Sequence, residues 1–428
     1  MPIASLMPTD RRDQEIFEDH GLANRYLFSG IDNRLLITPF AIDKDFFADA
    51  INLLGYRNLV NLNPHEVSES TSTSIINDQS LMDEIVKTIR ENPGITIHAH
   101  AATPQMFKLT SYLRNLNLKF ETPELPQETS FWTTSFFDSK SGFRQISNYM
   151  GSDFPKMPIG GICYRKEDII GWASYLIKNK KGCVMKSDHG QGGLGLKILK
   201  TEDFQGKNID GELSAMIENE AFWLRDTVVV EEFVEPDKNI CGGAPNVEAK
   251  IDGQVEPLYV CSMRVSDKGI FQGIELGKEA VPNDIDRILK KSAAEFGKLL
   301  KDFGYRGFYE IDFVSDKDRN IFPIEANLRR TGGTHSYEFG KYLLGNDFLN
   351  KFYMIVNNFV KVEGCKGKTY REIKEIAQTL FYPVLGKQEG VVVTITNLLI
   401  QGFIGYIVIA ESKNRAIELE KDFIGRFE

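Results

Sequence analysis

The sequence predicts an α/β protein, α+β overall, with more than one domain, and three observations carry that reading. The first third alternates strand-like runs with amphipathic helical patterns, the signature of an open, mostly parallel sheet. Around Gly190 a glycine-rich turn joins one strand-like run to another rather than to a helix. From Glu310 to Arg329, two short runs put acidic, amide and guanidinium groups at every second position, a spacing that a strand turns to one face.

In chain order, RLLITPF from Arg34 and NLVNLN from Asn58 read as strands. DKDFFADAINLLG from Asp43 and SLMDEIVKTIREN from Ser80 read as helices, the second closed by Pro93-Gly94. GITIHAHA from Gly94 is a further strand, followed by the helical TPQMFKLTSYLRNLN. His98 and His100 fall on one face of that strand. They suit either a metal ion, for which no third ligand is evident, or ordinary packing and hydrogen bonding. ETPELPQETS from Glu121, rich in Pro, Thr and Ser, reads as a domain boundary. Near Cys365 the text changes to KGKTYREIKEIAQTL, two strand-like runs and a last helix, SKNRAIELEKDF, a small C-terminal α/β module.

Composition bounds the function. A chain of 428 residues, 42% hydrophobic and 26% charged, reads as an ordinary globular protein with room for two or three domains. A formal charge of -9 argues against a protein that coats nucleic acid, but local lysines and arginines can still hold a small polyanion. The five cysteines are scattered without a CxxC pair, as expected of reduced thiols in the cytoplasm. The N-terminal stretch is too polar for a signal peptide. LLIQGFIGYIVIA from Leu398 falls short of the roughly 20 residues that span a bilayer. A cytoplasmic protein without membrane or nucleic-acid partners is expected.

Three stretches carry chemistry. In GCVMKSDHGQGGLGLKIL from Gly182, a buried strand ends at Lys186, a glycine turn follows and a strand returns. Glycines let backbone N–H groups approach phosphate oxygens, and a lysine adds a point charge there. Gly190, Gly192 and Gly195 satisfy GxGxxG, but the dinucleotide fingerprint needs a helix after the glycines, so a hairpin flap over phosphates fits better. Gly367-Lys368-Thr369 is not a Walker A loop, because Val362 stands where its first glycine belongs. Asp302-Phe303-Gly304 occurs without the catalytic loop of a protein kinase and reads as the stop of the preceding helix.

TVVVEEFVEPDKN from Thr227 is a β-branched run that leaves through acids and an aromatic. It suits an adenine hinge, in which the backbone around Glu232, Phe233 and Val234 reads the purine edge and Asp237 accepts from ribose hydroxyls. A core strand leaving its sheet would look the same. In EIDFVSDKDRNIFPIEANLRRTGGTH from Glu310, Tyr309, Ile311 and Phe313 oppose Glu310 and Asp312, while Glu325, Asn327 and Arg329 share one face. A hairpin link at Ser315–Asn320 brings Asp312 beside Glu325 and Asn327, a hard-oxygen cluster suited to magnesium. A solvated hairpin face is the plainer alternative.

In this order and spacing the three stretches resemble the ATP-grasp superfamily, from about Phe136 to Gly364. The resemblance implies that Lys140 and Lys186 contact phosphates, that Asp312, Glu325 and Asn327 hold magnesium, and that Arg329 lies at the reacting phosphate. It also assigns Gly190, Gly192, Gly193 and Glu231, Glu232, Phe233, Val234 and Asp237 to ATP. LRRTGGTH from Leu328, NVEAKIDGQVEPLYV from Asn246 and the tail EGVVVTITNLLIQGFIGYIVIAES are similar to the pheganomycin-type peptide ligases. That narrower resemblance implies a Rossmann-like pre-ATP-grasp domain over 1–135, an ATP-grasp domain over 136–364 with a flap subdomain at about 155–235, and a small α/β domain over 365–428. It carries Arg264 over as a substrate or phosphate contact.

The implied activity joins a carboxylate to an amine, such as an amino acid or peptide, through an acyl phosphate, with release of ADP and phosphate. ATP and two magnesium ions bridged by Glu325, with manganese as a substitute, would be its cofactors, and a homodimer its assembly. Thr331, Gly332, Gly333 and Thr334 would bind a substrate carboxylate or the acyl oxygen through backbone N–H groups. His335 is either a base for the amine or a structural histidine, and Arg330 a salt-bridge partner. An ATP-grasp kinase that stops at a phosphorylated product, and a non-catalytic nucleotide-binding module, are the competing readings.

Overall fold

The computed structural model describes residues 9–190, 195–266 and 269–428. The chain gathers into two compact units, one built around Thr129–Phe271 and Val281–Leu328, the other from Ile16–Glu128, Gln272–Ala280 and Arg329–Glu428. The break after Glu128 falls inside the Pro/Thr/Ser-rich stretch. The N-terminal and C-terminal segments, which the sequence pattern sets apart as two domains, share the second unit.

In the first unit a four-stranded antiparallel sheet runs in the order Gly160–Cys163, Val228–Glu232, Gly182–Ser187, Leu196–Lys200. Helices Lys166–Asn179 and Ile209–Glu218 bury Ala173, Leu176, Ile177 and Leu213 with Met185 and Val230 of the sheet. Lys186 lies opposite Leu196, so the glycine segment closes a hairpin. Gly192 and Gly193 fall outside the described residues.

A second antiparallel series in this unit runs Ile321–Asn327, Gly307–Ser315, Pro245–Asp252, Gln254–Val265. Period-two alternation decides its faces. Tyr309, Ile311 and Phe313, with Val247, Ala249 and Ile251, are buried against Leu289, Ala293, Phe296 and Leu300 of the Asn283–Asp302 helix. Glu310 and Asp312 are left on the other face. That helix stops at Asp302, and Gly304 adopts φ 86°, so Asp302-Phe303-Gly304 is a helix end.

In the second unit the antiparallel order is Phe271–Gly277, Tyr353–Lys361, Phe403–Ala410, Gly390–Ile395. The apolar tail that begins at Leu398 is a short 3-10 turn, Leu399–Gln401, followed by the buried strand Phe403–Ala410, and no helix among the described residues is long and apolar enough to cross a membrane. The first third contributes two short parallel pairs, Arg34–Ile37 with Leu59–Leu62 and Ile95–Thr96 with Phe120–Glu121. The expected long strand from Gly94 is corrected here: it ends at Thr96, and His98 and His100 lie beyond it with separate partners. Its sequence alternates, but its side chains are largely exposed and pack too little apolar surface to extend the pairing.

Gly297 lets the Asn283–Asp302 helix approach the acid-bearing strands. A Cβ there would stand 2.1 Å from the Tyr309 hydroxyl and 2.5 Å from Val255, and Tyr309 already donates to the Ala293 carbonyl at 2.8 Å. Gly297→Ala is expected to destabilise the protein by about 1–3 kcal/mol through overpacking. Thermal unfolding checks this; a melting temperature at or above wild type contradicts the close approach.

Candidate functional site

The site begins with an irregular edge strand. Ile321–Asn327 pairs on one side only, which tolerates Pro323 and its missing N–H. The register pairs Asp312 with Glu325 and Glu310 with Asn327, then slips, so that Phe313 meets Pro323 and Ile324 is the extra residue. The Ile324 carbonyl accepts from the Lys186 ammonium at 3.0 Å. Glu325 accepts from the Lys140 ammonium at 2.9 Å, and the same ammonium reaches the Gly190 carbonyl at 2.5 Å. Two lysines thus converge on successive residues of one strand, and one of them also touches the glycine turn.

Each lysine is held by its own device. Lys140 opens the Lys140–Ser147 helix, which Ser139 caps by accepting from the Gly142 N–H at 3.0 Å. The Asp188 carboxylate accepts from the Ser141 N–H at 2.7 Å and hydroxyl at 2.9 Å, tying the base of the glycine hairpin to that helix start. Lys186 pairs with Glu231 at 2.6 Å, and Arg144 pairs with the same carboxylate at 2.6 Å. Burial pushes the Glu231 carboxyl up, but the Lys186 and Arg144 charges outweigh it and hold it below the usual range. A buried triad of this kind fixes geometry more than it adds stability.

Acids and amides fill the face beside Glu325. Asn246 donates to Asp312 at 2.5 Å and to Glu310 at 3.1 Å, and Asn327 donates to Glu310 at 3.1 Å and Asp312 at 3.2 Å. Glu248, two residues beyond Asn246 on the same strand, accepts from the buried Tyr259 hydroxyl at 2.9 Å. Burial, then the Glu310 and Asp312 charges, push the Cys261 thiol well up, so it stays protonated beside this face. The donor set suits a hard divalent cation, with one adjustment. Asn327 turns its Nδ2 toward the acids, and as a metal ligand its amide would have to rotate to present oxygen.

Other expected residues lie as follows. The Glu232 and Phe233 N–H groups are spent on the Ile159 and Gly182 carbonyls, and the Glu231 side chain faces Lys186. Asp237 accepts from the backbone and side chain of Asn239, both at 2.9 Å. Val234 follows the strand, and Arg264 is half-buried on Gln254–Val265. Arg329 and Thr331–Thr334 belong to the second unit, where Gly333 precedes the Thr334–Leu344 helix. Arg330 is buried between Glu124 at 2.8 Å and Glu338 at 3.0 Å. His335 is fully buried.

Sequence reasoning left out Asn246, Glu248, Arg144 and Asp188. NVEAK repeats the alternation of EID, so Asn246 and Glu248 carried a readable signal. Arg144 and Asp188 act only through partners remote in sequence. Asp188, His189 and Asp226 also bring ligand atoms within 4.8 Å of one another. Their convergence has a structural cause, since Asp188 caps a helix and Asp226 accepts from Ser187 and His189.

Among solved structures the chain is similar to Campylobacter jejuni biotin carboxylase in an ATP-analogue complex (TM-score 0.57, 14% identity, 96% of this chain and 89% of that one). The biotin carboxylase domain of Hydrogenobacter thermophilus 2-oxoglutarate carboxylase, with MgADP, gives TM-score 0.57 at 13% identity over 93% of this chain and 91% of that one. An ADP complex of N5-carboxyaminoimidazole ribonucleotide synthetase gives 0.52 at 12% identity over 94% and 93%. No family model matches the chain. A curated relative, the L-propargylglycine–L-glutamate ligase of Streptantibioticus cattleyicolor, is 23% identical over 330 residues, which span 72% of this chain and 61% of the relative. The chain has the ATP-grasp fold.

Glu124 provides a pH test of the second unit. Burial raises its carboxyl, but the hydrogen bond from His98 and the Arg330 charge and hydrogen bonds outweigh it and bring it from 4.5 down to about 2. A carboxyl lowered by folding adds stability above its unfolded value and loses it as pH falls through the folded one. Stability should therefore drop between about pH 4.5 and 2. Glu124→Gln should cost about 3–5 kcal/mol at neutral pH, by leaving Arg330 short of a buried partner, and should flatten that drop. Urea unfolding across the range checks both; an unchanged pH slope removes Glu124 from the account.

Proposed function

We propose that this chain is an ATP-dependent carboxylate–amine ligase that forms an amide or peptide bond through an acyl phosphate. The observation that carries the reading is the convergence of Lys140 on Glu325 at 2.9 Å and of Lys186 on the Ile324 carbonyl at 3.0 Å, beside the Asp312–Asn327 face. A triphosphate needs concentrated positive charge along one side and cation ligands on the other, and this strand edge supplies both. The ligase relative and the ATP- and ADP-bound neighbours support the same class.

In this reading the Lys140 and Lys186 ammonium groups hold the α,β-phosphates, and Lys140 exchanges Glu325 for phosphate when nucleotide binds. Asp312, Glu325 and the rotated Asn327 amide would hold magnesium, which withdraws charge from the β,γ-phosphates. With the Glu232 and Phe233 N–H groups spent in the sheet, Val234 offers the next backbone N–H to the purine edge. A substrate carboxylate oxygen attacks the γ-phosphorus, the P–O bond to ADP breaks, and an acyl phosphate forms. The amine then attacks the acyl carbon, phosphate leaves, and the amine proton passes to phosphate or solvent. The glycine hairpin keeps water from the acyl phosphate.

Amino acids and short peptides, offered in pairs with ATP and magnesium, should release ADP and give a product weighing the sum of acid and amine less water. A phosphorylated product without an amide supports the kinase reading instead. Glu325→Ala should lower ADP release by about 100-fold or more with the melting temperature retained. Lys186→Ala should weaken ATP about tenfold or more, the worth of one charge-assisted hydrogen bond. Full turnover in the first variant, or unchanged nucleotide affinity in the second, overturns the assignment of that residue.

A further inference from the structure

We propose that Asn246 sets the cation preference of this site, by holding one oxygen of Asp312 so that the carboxylate offers a cation only the other. The inference rests on the ligase reading and deepens its cation site. It lies wholly within the first unit, and Asn246 acts in it as a positioning residue, not as a ligand.

Register gathers the parts. Glu325 pairs with Asp312, Asp312 with Asn246, and Asn246 with Cys261, across four neighbouring strands. Directly opposed residues share a face of the sheet, so these four side chains form one row. Asn327 and Glu310, also opposed, stand beside it. The two amides then bridge the same two acids. Asn246 Nδ2 donates to Asp312 Oδ1 at 2.5 Å and to Glu310 Oε2 at 3.1 Å. Asn327 Nδ2 donates to the other oxygen of each, Asp312 Oδ2 at 3.2 Å and Glu310 Oε1 at 3.1 Å.

The amides are not equivalent. Asn327 ends the edge strand, and its amide has to turn before it can present oxygen to a cation. Asn246 lies on an inner strand, 2% exposed, and its Oδ1 accepts from the buried Cys261 thiol at 3.5 Å. A turned Asn246 amide would set its carbonyl oxygen against two carboxylates and lose the thiol as a donor. Its orientation is therefore fixed from both ends. Asp312 Oδ1 stays engaged whether or not Asn327 turns, and Oδ2, on the Asn327 side, is the oxygen presented to a cation. A carboxylate that closes on a metal through both oxygens suits calcium, which takes six to eight ligands in flexible geometry. Magnesium demands a tight octahedron and is better served by one oxygen from each acid. By keeping Asp312 to a single oxygen, Asn246 favours magnesium or manganese over calcium.

The test needs no turnover. Manganese held by the protein with ADP, followed by electron paramagnetic resonance, is displaced with magnesium or with calcium, and the ratio of half-displacing concentrations gives the preference. Wild type should yield to magnesium at the lower concentration. Asn246→Ala should move the ratio toward calcium about tenfold, the usual worth of a hydrogen-bond partner behind a metal ligand. Cys261→Ala, which removes only the hold on the amide, should move it the same way by a smaller factor. Cys261→Ser, which restores a donor, should return it to the wild-type value. The two Cys261 variants carry the test if Asn246→Ala does not fold. A wild-type ratio in Asn246→Ala or in Cys261→Ala, or a wild-type protein that yields first to calcium, overturns the proposal. Amide formation with an unchanged ratio sinks this inference alone, and a shifted ratio without an amide product sinks the ligase reading alone.

Discussion

The first unit depends on one irregularity, the slip in pairing at Ile324 on the edge strand. A regular ladder would spend that carbonyl on its neighbour. The slip, permitted by an edge position and by Pro323, leaves it to accept from Lys186, one residue before Glu325 takes Lys140. Two lysines from different elements are thereby referenced to one strand. The acids alone would repel one another. The lysines, with the amides of Asn246 and Asn327 between Glu310 and Asp312, make the face tolerable before any cation binds.

Around that strand, positive charge is fixed by partners that a nucleotide need not disturb. Arg144 shares Glu231 with Lys186, so the Lys186 ammonium keeps one anchor while its other contact changes. Lys140 is different: it is held by Glu325 and by the Gly190 carbonyl, both of which the proposed nucleotide would have to displace. In the proposed function, Lys186 would be the fixed element and Lys140 the exchangeable one. The Asp188 link between the glycine hairpin and the Lys140 helix makes movement of one felt by the other.

Much of this was legible in the chain. Alternation placed Tyr309, Ile311 and Phe313 in the core and set Glu310 and Asp312 opposite them, because a strand with one buried face admits a single register. The glycine turn between two strand-like runs read correctly as a hairpin, since no helical period followed it. What stayed hidden acts over long sequence distances. Glu231 sits in the hinge-like run, and its carboxylate is met by Arg144, 87 residues before it, a pairing that no local pattern announces. The GITIHAHA segment misled because alternation without burial does not make a strand.

The most direct measurement of the central claim is a crystal structure with a non-hydrolysable ATP analogue and manganese, located by its anomalous scattering. Manganese is expected between Asp312 and Glu325, with Lys140 moved from Glu325 to a phosphate oxygen and Lys186 still on Glu231. Manganese bound away from that strand edge, or a triphosphate remote from Lys186, would contradict the account.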